Sequence, residues 1–298
     1  MESLVLLFAC MALGVAVARL AQPPPTLAQG LNWWVLNLAL PALVVSIVPR
    51  LTLSADLWFP VAAMWGAFLA GWGFFVALGR ALGWPPQRTG ALTLVCGLGN
   101  TAFIGYPLIE ALRGPEALPV AAIADQAGVF VALAVGGSFV VALYAHGRVA
   151  PAMLARKLLL FPAFLALVAG LVIGRLGGLP PLAEAIAARL GETLVPLALF
   201  SVGLQLRVRL PGPLWPAVVA GLSWKLVLAP ALTWALAALL DIAPGIASIT
   251  VLQAAMAPMI SAAILAQQHD LEPELAGVTL GLGILLSFAT VPLVNALL

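Results

Sequence analysis

Charge is what this sequence lacks most. Only 8% of its 298 residues are Asp, Glu, Lys or Arg, while 63% are hydrophobic. A typical soluble domain carries about 25% charged residues. So few charges cannot cover a surface that faces water. In hydrocarbon an apolar exterior is the stable one. Cysteine is also scarce. Cys10 and Cys96 lie in separate apolar stretches without CxxC spacing, which argues against a disulfide framework. The two histidines, His146 and His269, sit in or beside loops, so no metal ligand set and no catalytic cluster is expected. An enzyme is therefore not expected, nor a cofactor. The net charge is +2, with no Lys/Arg cluster of the kind that binds nucleic acid. Met1-Glu2 leads straight into apolar sequence, so a first spanning helix is expected rather than a cleaved signal.

What remains is a series of apolar runs. They cover about 3–19, 28–49, 57–81, 90–112, 117–144, 158–176, 183–206, 213–240, 245–268 and 274–297. A helix needs about 20 apolar residues to cross a bilayer. Ten such crossings use up the chain and leave no soluble domain. The expected fold is all-α and integral to the lipid bilayer, with ten transmembrane helices.

Basic residues set the expected orientation. One set of loops holds Arg19, Arg80, Arg88, Arg148, Arg156, Lys157, Arg207 and Arg209. The opposite set holds Arg50, Arg113, Arg175 and Arg189. The first set is assigned to the cytoplasm. Both termini then lie outside a plasma (inner) membrane, and the basic loop 146–157 between runs 5 and 6 is cytoplasmic.

The two halves repeat. Arg19-Leu20, Pro24-Pro25 and Leu27-Ala28 recur as Arg175-Leu176, Pro180-Pro181 and Leu182-Ala183, at offsets of 156 and then 155. The offset of 155 also relates Pro41 to Pro196 and Ser46 to Ser201. Five helices is an odd number, so the second half is expected to be inverted. Inverted repeats are typical of alternating-access carriers. Pro41 and Pro196 themselves read as ordinary helix kinks.

Runs 4 and 9 carry the chemistry. Gly97, Gly99, Asn100, Thr101, Gly105 and Pro107 interrupt the fourth run. Gln253, Pro258 and Ser261 interrupt the ninth at the matching place. A break frees backbone groups that hydrocarbon cannot bond, so it is tolerated only where it lines a cavity. The expected substrate site comprises Gly99, Asn100, Thr101, Gln253, Pro258 and Ser261. No acidic residue falls at either break.

The stretch Gly99-Asn100-Thr101-Ala102-Phe103-Ile104-Gly105-Tyr106-Pro107-Leu108 resembles the helix-4 motif of the auxin efflux carrier family. The segment from Gln253 to Ala266, with Gln267-Gln268-His269-Asp270-Leu271-Glu272-Pro273 after it, is similar to that family's ninth helix and the loop beyond. The family includes plant PIN-FORMED carriers and bacterial permeases, some assigned to malonate. Its fold resembles that of bile acid sodium symporters. Plant members carry Pro where this chain has Gly99, and many bacterial members carry Asn where it has Ser261.

The resemblance implies broken helices 4 and 9 that cross at the substrate. It implies a scaffold of runs 1–2 (residues 1–56) and 6–7 (158–208), and moving parts at 57–145 and 209–298. It also implies an elevator mechanism and a homodimer through the scaffold. The expected function is transport of a small organic anion, auxin-like or dicarboxylate, with H+ or Na+ as a candidate coupling ion. A sodium-coupled symporter is the alternative. The repeat argues against a channel, and the lack of a soluble domain against a receptor.

Two charges lie deep within runs. Asp125 in run 5 and Lys225 in run 8 fall at similar depths, counted at 1.5 Å per residue. A lone Lys there is costly. The two are expected to form an ion pair, either structural or part of the coupling. The orientation has a direct check. A cysteine placed at Gly147 should stay unlabelled when intact cells meet an impermeant thiol reagent, and efficient labelling from outside would reverse the assignment.

Overall fold

The computed structural model describes residues 2–21, 23–24, 26–51, 54–145, 160–206 and 212–298. The basic loop 146–157, with Arg148, Arg156 and Lys157, lies outside the described residues, as do His146, Arg207 and Arg209. The chain is all-helical, with no strand among the described residues. Helices α1 (Glu2–Leu20), α2 (Leu27–Arg50), α3 (Ala55–Leu82) and α4 (Pro86–Gly97) come first. Then follow α5 (Tyr106–Arg113), α6 (Pro115–Tyr144), α7 (Pro162–Arg175) and α8 (Pro181–Gln205). The last four are α9 (Gly212–Leu239), α10 (Pro244–Ala254), α11 (Ile260–Gln268) and α12 (Pro273–Leu297).

Local chemistry sets many of the ends. Pro86, Pro162, Pro181, Pro244 and Pro273 open their helices, where the missing N–H would be unbonded anyway. Gly83 closes α3 with φ +64, a left-handed turn that suits glycine. Among the described residues, six helices (α2, α3, α6, α8, α9 and α12) are long and apolar enough to cross a membrane. Residues Phe8–Leu20 of α1, with α7 and α10, form shorter apolar helices. Runs 4 and 9 are each two pieces: α4 with α5, and α10 with α11.

The helices pack as two sets. In the first, α1 lies along the second half of α8. A Cβ on Gly14 would fall 2.2 Å from the Phe200 carbonyl oxygen, and one on Gly203 2.2 Å from that of Met11. Only glycine lets these backbones meet. In the same set α7 packs on α2, where a Cβ on Gly170 would fall 2.9 Å from Val48. These two contacts correspond under the sequence offset: Gly170 lies 156 residues after Gly14, and Gly203 lies 155 after Val48. Polar bonds tie α2 to α8. Trp34 Nε1 donates to Thr193 Oγ1 at 3.0 Å, Ser201 Oγ donates to Asn32 Oδ1 at 2.6 Å, and Arg50 pairs with Glu184.

The second set is α3 to α6 with α9 to α12. Its core centres on Phe68, Phe75 and Trp224, with the Trp224 indole stacked on Phe74 at 5.2 Å. Arg88 on α4 forms an ion pair with Glu272, just before α12, at 2.9 Å. Arg113 Nε donates to Asn295 Oδ1 at 2.6 Å, tying α5 to α12. The Ala243 N–H donates to Asp56 Oδ2 at 2.9 Å, and Trp72 Nε1 donates to Tyr144 OH at 3.1 Å. Each of these bonds joins residues of one set. Where the sets meet, the buried cluster is apolar, with Val44, Phe103, Ile109, Leu199 and Ile260 among its members.

The α1–α8 crossing gives a stability prediction. Gly203→Val should destabilise the protein by about 1–3 kcal/mol or more, since backbone faces the new side chain. Gly30 on α2 has nothing within 4 Å of an added Cβ, so Gly30→Ala should leave the melting temperature nearly unchanged or slightly raised. Thermal unfolding in detergent compares the two, and equal tolerance would refute the close crossing.

Candidate functional site

Helix α4 stops at Gly97 and α10 stops at Ala254. Beyond these ends the two segments cross, with Leu98 and Met259 extended. Gly99 and Pro258 make an antiparallel bridge. The Asn100 N–H donates to the Ala257 carbonyl at 2.8 Å, and the Met259 N–H donates to that of Val95 at 3.2 Å. The two breaks thus bond to each other. Pro258 brings no N–H to the crossing. A Cβ on Gly99 would fall 2.9 Å from Lys225 Nζ, so a side chain there would displace the lysine. A Cβ on Gly283 of α12 would fall 2.4 Å from the Pro258 ring, so that glycine makes room for the proline.

Side chains bond what the crossing leaves open. Lys225 Nζ donates to the Ala254 carbonyl at 2.9 Å, placing a cation on the negative end of α10. Gln253 Nε2 donates to the Ala121 carbonyl at 3.2 Å, tying the crossing to α6. On the far side, Asn100 Oδ1 accepts from the Phe103 N–H at 3.1 Å and caps the turn that leads into α5. The Asn100 carbonyl accepts from the Gly105 N–H at 3.0 Å, which makes Thr101–Gly105 a wide, π-type turn. Helix α11 begins without a side-chain cap. Its first-turn N–H groups have no partner inside the helix.

Asp125 overturns an expectation. No acidic residue is expected at the breaks, yet the structure brings Asp125 to the crossing. It accepts from the Thr101 hydroxyl, from Tyr106 OH at 2.9 Å and from Gln126 Nε2 at 2.6 Å. Asp125 sits on a second π-type turn, Ala124–Phe130, where the wider winding re-aims the side chains of α6. The expected ion pair is absent: Lys225 bonds Ala254, while Asp125 bonds three neutral donors. Rise per residue places two groups at one depth but says nothing of which way each helix face turns.

A buried cavity of about 90 Å³ lies beside the crossing. Asn100, Thr101, Asp125, Gln126 and Ser261 give it polar groups. Leu36 and Leu40 of α2 border it from the first set. Phe130 and Phe161, stacked at 4.1 Å between centroids, close another side. Of the expected site residues, Asn100, Thr101, Ser261 and Asp125 therefore meet at one cavity. Gly99, Gln253, Pro258 and Lys225 build the crossing behind it. Gln126 went unnoticed in the sequence, although an Asp-Gln pair inside an apolar run was a usable signal. Three of the four π-type turns among the described residues border this cavity, at Leu36, Thr101 and Asp125.

A second cavity of about 1200 Å³ separates α1, α2 and α8 from α11 and α12. Arg19, Gln205, Gln267 and Glu274 border it. Ile260, the first residue of α11, borders both cavities and forms the partition between them.

Comparison with known proteins agrees with this architecture. A family described as membrane transport protein matches residues 1–144 and 146–295. A protein of Methanothermobacter thermautotrophicus, described as an uncharacterised transporter, is 29% identical over 277 residues, covering 91% of this chain and 89% of its own. Another from Methanocaldococcus jannaschii, also described as an uncharacterised transporter, is 25% identical over 195 residues, covering 63% and 62%.

The cap on the fourth run's second half can be tested alone. Asn100→Ala removes the oxygen that bonds the Phe103 N–H and should cost about 0.5–2 kcal/mol. Asn100→Ser keeps a capping oxygen and should recover most of that stability. Equal melting temperatures for the two variants would show that the cap does not hold the break.

Proposed function

The chain belongs to the membrane transport protein family, the auxin efflux carrier-like group that its crossing motifs resemble, and we propose that it carries a small organic anion by an elevator-type movement. Its family and relatives are transporters, which makes it a multi-pass membrane transporter and not an enzyme. The observation that carries the proposal is the meeting of two helix starts at one buried cavity. Residues 100–103 and 259–261 both border it. Helix N-termini carry partial positive charge and point N–H groups at what lies before them. In a site without water these dipoles favour an anion.

The distribution of bonds supports sliding. The scaffold comprises α1, α2, α7 and α8, and the other helices carry the cavity. Directional bonds hold each set together, whereas apolar contacts between the sets re-form after a shift. The paired contacts Gly14–Gly203 and Gly170–Val48 support two inverted halves, since equivalent helices pack at equivalent positions. With both termini outside, the larger cavity opens toward the cytoplasm of a plasma membrane. The conformation is then inward-facing, with Ile260 closing the last step to the substrate. A homodimer would form through the scaffold.

Asp125 supplies the coupling. Its carboxylate borders the cavity that an anion enters, and like charges so close repel. A proton on Asp125 removes the repulsion, so anion and proton bind together. The same residue favours a second reading, since Asp125, Thr101 and Ser261 oxygens at one cavity are hard ligands that suit sodium.

Uptake into proteoliposomes separates these readings. Wild-type uptake of the transported carboxylate should rise as the outside is acidified, and Asp125→Asn should flatten that dependence. Sodium dependence that disappears in Asp125→Asn would favour the symporter instead. Unchanged pH dependence and full uptake in the variant would remove Asp125 from coupling altogether.

A further inference from the structure

Two side chains that line the small cavity, Asn100 and Gln126, each carry a buried polar atom with no partner. Asn100 is 3% exposed and Gln126 is 1% exposed. Asn100 Nδ2 and Gln126 Oε1 each lack a hydrogen bond. Buried polar atoms are nearly always bonded, so a bare donor and a bare acceptor at one cavity need an explanation.

Neighbouring bonds fix which atom each amide offers. Gln126 Nε2 donates to the Asp125 carboxylate at 2.6 Å. Turning that amide over would set its oxygen against the Asp125 oxygen that already accepts from Tyr106 OH. Asn100 Oδ1 accepts from the Phe103 N–H at 3.1 Å. Turning this amide over would set NH2 against N–H. Asn100 therefore offers a donor and Gln126 an acceptor. The Thr101 hydroxyl is already used on Asp125.

We propose that this cavity selects a small carboxylate that carries its own hydrogen-bond donor beside the carboxyl group, namely a 2-hydroxy acid. The proposal rests on the organic-anion reading above and deepens it. One carboxylate oxygen accepts from Asn100 Nδ2, and the hydroxyl of the same molecule donates to Gln126 Oε1. A simple carboxylate satisfies only the first. It leaves Gln126 Oε1 without a partner, and a bare buried acceptor is costly. A cation or an amine would answer Gln126 but not the Asn100 donor.

Matched pairs test this on the full-length wild-type protein in detergent. Binding of glycolate is compared with acetate, and of lactate with propionate, by calorimetry at one pH. Each hydroxy acid should bind roughly tenfold more tightly than its partner, the worth of one hydrogen bond near the upper end of its range. Gln126→Met, which keeps length but not the acceptor, should bring the ratio near one whichever way the absolute affinities move. A ratio near one in the wild type overturns the proposal without needing any variant. An unchanged ratio in a folded Gln126→Met protein also overturns it. If none of the four binds while larger carboxylates do, the hydroxy-acid proposal falls and the anion reading stands. If no carboxylate of any size binds, the anion reading itself falls.

Discussion

Everything in this protein depends on one constraint: a peptide group inside hydrocarbon must be hydrogen-bonded. Unbroken helices meet it without help. The crossing of α4–α5 with α10–α11 violates helical bonding at two places, and the protein must bond each freed group by other means. The antiparallel bridge between Gly99 and Pro258 does part of this. The Asn100 side chain bonds one N–H, and Lys225 bonds one carbonyl. Residues that look like binding groups in the sequence are thus of two kinds. Some hold the breaks together, and others face the space that the breaks create.

The same constraint shapes the division into two sets. Polar side chains in a membrane protein are few, and each bond between helices fixes them against one another. Here the Trp34–Thr193 and Ser201–Asn32 bonds lie within the first set, and Arg88–Glu272 and Arg113–Asn295 lie within the second. Between the sets, contact rests on apolar side chains such as Val44 and Leu199. Such contacts stabilise by area and have no preferred register. The directional bonds thus lie within the sets, and the contact between the sets is apolar.

Much of the fold was legible because hydropathy and proline act locally. Apolar runs, opening prolines and the breaks in runs 4 and 9 depend on residues near each other in sequence. What the sequence hid was rotation about the helix axis. Asp125 and Lys225 lie at similar depths, yet one meets Thr101 and the other meets Ala254. Depth follows from counting residues, but the face follows from packing, and a π-type turn at Ala124–Phe130 changes it further. Gln126 was missed for the same reason. Gln253, in contrast, looked like a cavity residue and instead braces α10 against α6.

The separate bonding of Asp125 and Lys225 has an electrical consequence. Both residues are buried in the same helix set and would move together in an elevator step. A charge carried across the full membrane field gains or loses about 2.3 kcal/mol per 100 mV. Empty, the set's two buried charges are one carboxylate and one ammonium, which sum to zero. Loaded with a monoanion and a proton on Asp125, it carries one ammonium and one bound anion, which again sum to zero. Neither limb of such a cycle moves net charge, so the membrane voltage would neither drive nor hinder it. The gradient of protons, not of potential, would then do the work.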